Sequence, residues 1–359
     1  MSAPSGTDLS SNDYLGLAAD SRVRAAFIRG IEREGVGSTG SRLLRGDRDA
    51  FTEIEQQFAH FKGTERALFF SSGYLANLAV LTAFGEAGDL ICSDVRNHAS
   101  LIDASRLARA RVVVTPHSDV AAVDAVLRDE APAGVALVVV ESLYSMDGDV
   151  APLADLAIVC ARHHATLIVD EAHAVGVRGD RGTGLLEECG LDSNACLSIN
   201  TAGKALGVSG AFVAGPAWAI EYLVQRARPF IFSTAAPPAV AYALKESLSI
   251  VGREPERRAQ LKSRSRYLRR ALRQIGLVIE DSDSHIVPIV IGDNSRAVAV
   301  ATALQAGGFD VRAIRPPTVP HGTARLRVSM NAMLSEATLD GFVTALAAAL
   351  RERATTVHV

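Results

Sequence analysis

An α/β fold, with one mostly parallel sheet of seven or so strands and a smaller α+β domain after it, is what this sequence predicts. Three observations carry that reading. Seven short apolar runs recur between residues 67 and 215, amphipathic segments separate them, and the pattern changes beyond about Ala239. At 359 residues the chain also exceeds what one hydrophobic core usually spans, so a large and a smaller domain are expected.

The runs lie at residues 67–70, 90–92, 112–114, 137–140, 167–169, 197–199 and 211–214. Short continuous runs rich in β-branched residues suit strands buried on both faces, as in a parallel sheet covered by helices. Helical patterns fall at residues 23–34, 75–84 and 153–163. Past Ala239, a basic helical stretch at 254–274 leads to a strand at 286–291 and a helix starting near Asn294. Short strands follow at 311–314 and 324–328. A last helix from about Ser335 places Leu339, Phe342, Val343, Leu346 and Leu350 on one face. Residues 315–320, rich in proline, form a rigid loop between the short strands. The expected division is an N-terminal segment (1–45), a large domain (46–238) and a small C-terminal α+β domain (239–359).

Composition narrows the function classes. Apolar residues make up 48% and charged residues 21%, with a net charge of −3, so nothing argues for nucleic acid or an anionic membrane as partner. No stretch approaches the ~18 consecutive apolar residues of a membrane span. The first residues lack the basic and apolar regions of a signal peptide, which makes a cytoplasmic enzyme the expectation. Cys92, Cys160, Cys189 and Cys196 include no C-x-x-C pair, so neither a zinc site nor a redox pair is expected, and no metal.

Gly35-Val36-Gly37-Ser38-Thr39-Gly40 matches G-x-G-x-x-G by letter. A dinucleotide fingerprint needs a strand before it and a helix after it, whereas this stretch follows a helical pattern. A glycine loop near a ligand is the better reading, and a nicotinamide oxidoreductase is not supported.

More telling is where polar residues stand. Ligands of open α/β sheets bind beyond the carboxyl ends of the strands. Three successive runs end in Glu141-Ser142, in Asp170-Glu171-Ala172-His173 and in Asn200-Thr201-Ala202-Gly203-Lys204. Alone, each is unremarkable: a loop lysine is usually surface, and an Asp-His pair can be a helix cap. Together they place an acid, an imidazole and an amine at one sheet edge, the set that pyridoxal 5′-phosphate (PLP) requires. Its aldehyde needs a lysine, and its pyridine nitrogen needs a carboxylate to stay protonated. Its phosphate needs backbone N–H groups at a helix N-terminus, a task for which Ser71-Ser72-Gly73-Tyr74 is placed.

These residues resemble the α-oxoamine synthases, enzymes of PLP-dependent transferase fold type I. The similarity covers Ser10 to about Met333. It rests on residues 11–16 (Ser-Asn-Asp-Tyr-Leu-Gly), 97–100 (Asn-His-Ala-Ser), 145–149 (Ser-Met-Asp-Gly-Asp), 170–173 (Asp-Glu-Ala-His) and 203–207 (Gly-Lys-Ala-Leu-Gly). Within the family, residues 292–297 and 314–327 look most like a biotin-pathway member that condenses L-alanine with pimeloyl-CoA or pimeloyl carrier protein. A ligase joining glycine to acetyl-CoA is the nearest alternative, serine palmitoyltransferase a further one. A catalytically inactive partner subunit would be expected to lack Lys204.

The resemblance implies roles. Lys204 holds PLP as a Schiff base and later removes the Cα proton. Asp170 pairs with the pyridinium nitrogen, His173 bonds the phenolic oxygen and His98 stacks on the ring. Ser145 lies close to cofactor or substrate, while Gly73, Tyr74 and Thr201 hold the phosphate. Ser233 and Thr234 reach the phosphate of the other subunit's site, which implies a homodimer with shared active sites. Asn12 and Arg325 hold the amino-acid carboxylate. There are two departures. Ten residues precede Ser11 where family members carry a few dozen, a segment that supplies part of the acyl-substrate region. Ala202 stands where an aromatic is frequent, which is expected to loosen packing there.

Overall fold

The computed structural model describes residues 5–130 and 132–352. The chain runs β1 (Thr7–Asp8), α1 (Ser21–Glu34), α2 (Asp49–Lys62), β2 (Arg66–Phe70), α3 (Gly73–Phe84), β3 (Leu90–Asp94), α4 (Ala99–Leu107) and β4 (Arg111–Thr115). It continues with α5 (Val120–Asp129), β5 (Ala136–Glu141), α6 (Leu153–Arg162), β6 (Thr166–Asp170), α7 (Leu185–Glu188), β7 (Cys196–Thr201) and β8 (Ala211–Gly215). Next come α8 (Ala217–Arg226), α9 (Arg228–Ile231), α10 (Ala239–Arg253) and α11 (Glu256–Gln274). The chain ends with β9 (Ile286–Gly292), α12 (Asn294–Ala306), β10 (Phe309–Asp310), β11 (Ala313–Ile314), β12 (Ala324–Ser329) and α13 (Glu336–Glu352).

Two compact units divide this chain. The larger holds residues 17–144 and 150–255; the smaller holds residues up to 16, residues 145–149, and those from 256 onward. The sequence reading puts the divisions after 45 and 238 instead. The difference has a packing cause: α10 lies along α1 and α2, burying Val240, Leu244, Leu248 and Val251, so all three helices belong to the larger unit.

In the larger unit the sheet has seven strands in the order β2-β8-β7-β6-β5-β3-β4. β4, β3, β5, β6 and β7 run parallel, and β8 is antiparallel to both β7 and β2. Each strand contains one of the seven apolar runs. Six of the seven are largely buried, but β4 is not: Val112 and Val114 are 36% and 59% exposed. It ends the strand order and pairs with β3 alone, so its valines report strand propensity rather than burial.

Helix α3 shows how the sheet positions a site. Ser72 caps it, its Oγ accepting the Leu75 N–H at 3.3 Å. Ala76, Ala79, Val80 and Ala83 are small enough for the helix to press onto Phe70, Ile91, Ile199 and Val213 of the sheet in one buried cluster. Burial of a valine side chain there contributes about 1.5–3 kcal/mol.

The smaller unit has a three-stranded antiparallel sheet, β11-β12-β9, and a parallel pair, β1-β10. The strand expected at 311–314 is broken in two, because the chain changes partner at Val311–Arg312, from β1 to β12. Helix α13 buries Leu339, Phe342, Val343 and Leu346 as its periodicity predicts, with Leu350 half-buried. Residues 145–149 leave the larger unit through a neck closed by the Leu143–Val150 bridge. At Gly148, φ is +72° and a Cβ would fall 2.6 Å from Ser284 Oγ and 2.7 Å from the Ile286 carbonyl, so only glycine fits.

Candidate active site

The carboxyl ends of β5, β6 and β7 lie side by side in the larger unit, and Glu141 is the register partner of Asp170. Asp170 is buried, with a donor on each oxygen. Oδ1 accepts the Ala172 N–H at 2.9 Å, and Oδ2 accepts Asn77 Nδ2 at 2.8 Å. The same Asn77 amide donates to Ser100 Oγ at 2.9 Å, and Ser100 Oγ stands 2.7 Å from His98 Nδ1. A continuous path therefore links Asp170, Asn77, Ser100 and His98. The sequence assigns no role to Asn77, nor to Ser100, which appears there only as the end of the 97–100 motif. A single amide in the otherwise apolar stretch 75–81 of α3 was the available signal for Asn77.

His98 caps α4, and its Nδ1 accepts the Ser100 N–H at 3.2 Å. Lost hydration pushes its pKa below the usual imidazole value, and the Lys204 cation adds to the effect. His98 thus offers a neutral ring, suited to lying against another flat ring.

Lys204 Nζ is 2.7 Å from His173 Nε2, with His173 buried and Lys204 half-buried. The lysine loop is pinned by its backbone: Ala202 N–H donates to the Gly210 carbonyl at 2.9 Å, Val208 N–H to Ala202 at 3.1 Å, and Gly207 N–H to Lys204 at 2.9 Å. Ala202 is fully buried, so the small residue at that position sits in closed packing rather than loosening it.

The first turn of α3 offers N–H groups that no helical carbonyl can take, with the positive end of the helix dipole behind them. A Cβ on Gly73 would lie 2.4 Å from Thr201 Oγ1, so glycine leaves a cradle between that turn and the threonine hydroxyl. An anion fits there. Tyr74 contributes its backbone to this turn, because its hydroxyl is turned to Asp103 at 2.7 Å. Ser233 and Thr234 line a cleft with Ser71, Arg42, Phe51 and Phe230. Arg42 is already committed there, to Glu55 at 2.8 and 3.1 Å and to Asp47 at 2.6 Å. The Gly35–Gly40 loop ends α1 rather than a strand, and Gly40 accepts the Ala235 N–H at 2.9 Å beside that cleft.

Asn12, Ser145 and Arg325 belong to the smaller unit. Arg325 is 5% exposed and ion-paired with Asp147. Arg327, two residues on along β12, is the arginine that meets Asn12, donating to its Oδ1 at 3.2 Å, and it also donates to the Ser145 carbonyl. The structure brings Asn12 to Arg327, not to Arg325. Two arginines at i and i+2 share a strand face, so alternation could not separate them.

Behind the site, Lys62 and Glu171 form an ion pair with both side chains fully buried. Lys62 Nζ also donates to the Thr183 carbonyl at 2.6 Å, and Glu171 accepts the Leu185 and Leu186 N–H groups at 2.5 and 3.1 Å. The pair fixes the residue next to Asp170. Lys62→Met should cost about 3–5 kcal/mol in urea unfolding, since it strands a buried carboxylate. Among the described residues no cluster of three or more His, Cys, Asp or Glu side chains could hold a metal ion, and no helix is long and apolar enough to cross a membrane.

Residues 4–346 match the family described as aminotransferase class I and II. The chain belongs to that family. Its relatives place it in the α-oxoamine synthase group. It is 47% identical to the 8-amino-7-oxononanoate synthase of Cupriavidus taiwanensis, covering 96% of this chain and 87% of that protein. It is 50% identical to the enzyme of that name from Burkholderia cenocepacia, covering 90% and 83%. Among solved structures, serine palmitoyltransferase of S. paucimobilis with a bound PLP–myriocin adduct superposes with a TM-score of 0.93 at 32% identity, over 97% of this chain and 88% of that one. An 8-amino-7-oxononanoate synthase of Francisella tularensis superposes at 0.84 and 27% identity, over 97% and 99%.

Proposed function

We propose that this chain is an 8-amino-7-oxononanoate synthase, a PLP-dependent acyltransferase of biotin biosynthesis. It condenses L-alanine with a pimeloyl thioester, expelling the thiol and releasing CO₂. The observation that carries this reading is the identity of 46–50% to enzymes of that name over most of the chain, joined to the Lys204–His173–Asp170–His98 arrangement. Superposition on serine palmitoyltransferase is close, but one fold serves many substrates, so it does not choose between them.

The residues fit the cofactor. The Gly73 cradle with Thr201 suits its phosphate, Asp170 suits a protonated ring nitrogen, His173 its phenolic oxygen, His98 its ring face and Lys204 its aldehyde. Bound PLP supplies an aldehyde that takes the substrate amine and a protonated ring that accepts the electron pair left at Cα. Lys204, freed by the substrate's amine, removes the Cα proton and returns one after carbon–carbon bond formation and loss of CO₂. Asp170, held by Asn77 and Ala172, keeps the ring nitrogen protonated. His173 holds the lysine amine in place between these steps.

We assign the amino-acid carboxylate to Asn12 and Arg327, because Arg325 is paired with the Asp147 carboxylate whereas Ser145, Ser329 and Asn12 meet Arg327 with uncharged oxygens. Arg327→Lys should raise KM for alanine roughly tenfold or more, as a lysine cannot form the bidentate fork. Arg325→Lys should change that KM far less, in steady-state kinetics of the two variants. Ser145 lies close to the bound substrate in this reading. Ser233 and Thr234 complete the phosphate site of a partner subunit, so the enzyme works as a homodimer.

Spectral titration of the PLP-loaded enzyme with L-alanine, glycine and L-serine tests the substrate, followed by pimeloyl-CoA. Alanine should perturb the visible band at the lowest concentration, and CO₂ should appear only when alanine and the pimeloyl thioester are both present. Preferential turnover of serine with a long-chain thioester, or of glycine with acetyl-CoA, would replace the proposal.

A further inference from the structure

Glu141 has no role in the scheme above, yet its carboxyl is 3% exposed at the end of β5, beside Asp170 on β6. The His98 backbone N–H donates to it, while its Oε1 has no hydrogen-bond partner. The charged groups acting on it are Asp170 on β6, Lys204 after β7 and Asp94 on β3, with the neutral His98 ring above. Two carboxyls on adjacent strands of a dry site do not both ionise readily. Asp170 has a donor on each of its oxygens, from Ala172 and Asn77, whereas Glu141 has an empty one. The proton therefore belongs on Glu141.

We propose that Glu141 works as a neutral carboxylic acid that positions His98 and leaves Asp170, rather than Glu141, as the negative charge beside the cofactor ring. Burial first, and then the Asp170 charge, push its pKa up to about 8. It acts through the His98 backbone, which makes it a positioning residue. The inference rests on the assignment of Lys204 and Asp170 to PLP.

Glu141→Gln copies the neutral acid, and Glu141→Ala removes it. In the holoenzyme at pH 7 the glutamine variant should keep turnover and PLP affinity within about twofold. It should also lack the fall in turnover that the parent shows as pH rises through about 8. The alanine variant should lose roughly tenfold in PLP affinity, the scale of one lost buried hydrogen bond. Two readouts need no cofactor. The infrared carbonyl band of a protonated carboxylic acid should be present in the parent at pH 7, fade through about pH 8, and be missing from the glutamine variant. Between the ordinary value of 4.5 and about 8, the folded chain keeps a proton that the unfolded chain has released. Parent stability should therefore fall across that window relative to the glutamine variant. A glutamine variant that loses tenfold or more at pH 7, an unchanged pH profile, or a parent without the band would overturn the inference. A chain that takes up no PLP would sink the proposed function instead, and the infrared band would still decide the state of Glu141.

Discussion

Lys204→Ala should remove the visible absorbance of the PLP-loaded enzyme and lower turnover by at least ~10⁴-fold. The substitution takes away two things at once. One is the amine that holds the cofactor's aldehyde; the other is the group that moves the Cα proton. Lys204 lies 2.7 Å from His173 in a loop pinned by Gly210 and Val208, so the amine is held where both tasks are done. Borohydride reduction followed by peptide mapping should find the trapped adduct on Lys204 in the parent and none in the variant. Turnover near the parental rate in that variant would end the scheme.

Asp170→Asn should come next in size, and should separate binding from chemistry. The amide has nearly the same shape, and α3, Thr201 and His98 still surround the cofactor, so PLP should be retained. What is lost is the charge that keeps the ring nitrogen protonated. Removing one preorganised electrostatic group from an active site costs about 10²–10³-fold. The exchange of the alanine Cα proton with deuterated water, followed by NMR, should slow by at least that factor. The asparagine NH₂ would also replace an oxygen that now accepts from the Asn77 amide or the Ala172 N–H, setting two donors face to face. An exchange rate equal to the parent's would remove Asp170 from its role.

Much of this is legible in the amino-acid sequence alone. The seven strands announced themselves because each is a run of apolar residues three or four long, with turn residues on either side. The reactive residues followed because they sit immediately after three of those runs. What stayed hidden depends on contacts between distant segments. Val112 and Val114 look like core valines until β4 proves to be the last strand of the sheet. Asn77 meets Asp170 across 93 residues of chain, and no local pattern in α3 reveals that. Arg325 and Arg327 are equivalent by alternation, and only Asp147 and Asn12, brought in from elsewhere, distinguish them. The domain divisions were missed for the same reason, since α10 reads as the start of a new region but packs on α1.

The pairing of β1 with β10 has a consequence for how the protein is made. Thr7 aligns with Phe309 and Asp8 with Asp310, so these residues leave the ribosome long before the partners they pair with. The larger unit, by contrast, has all its strands once residue 215 has emerged, and can collapse first. The early strand must wait exposed through that interval, a delay that long-range pairing imposes on folding. Slowing translation anywhere between β1 and β10 should lengthen its exposure to proteases, whereas slowing it beyond β10 should not.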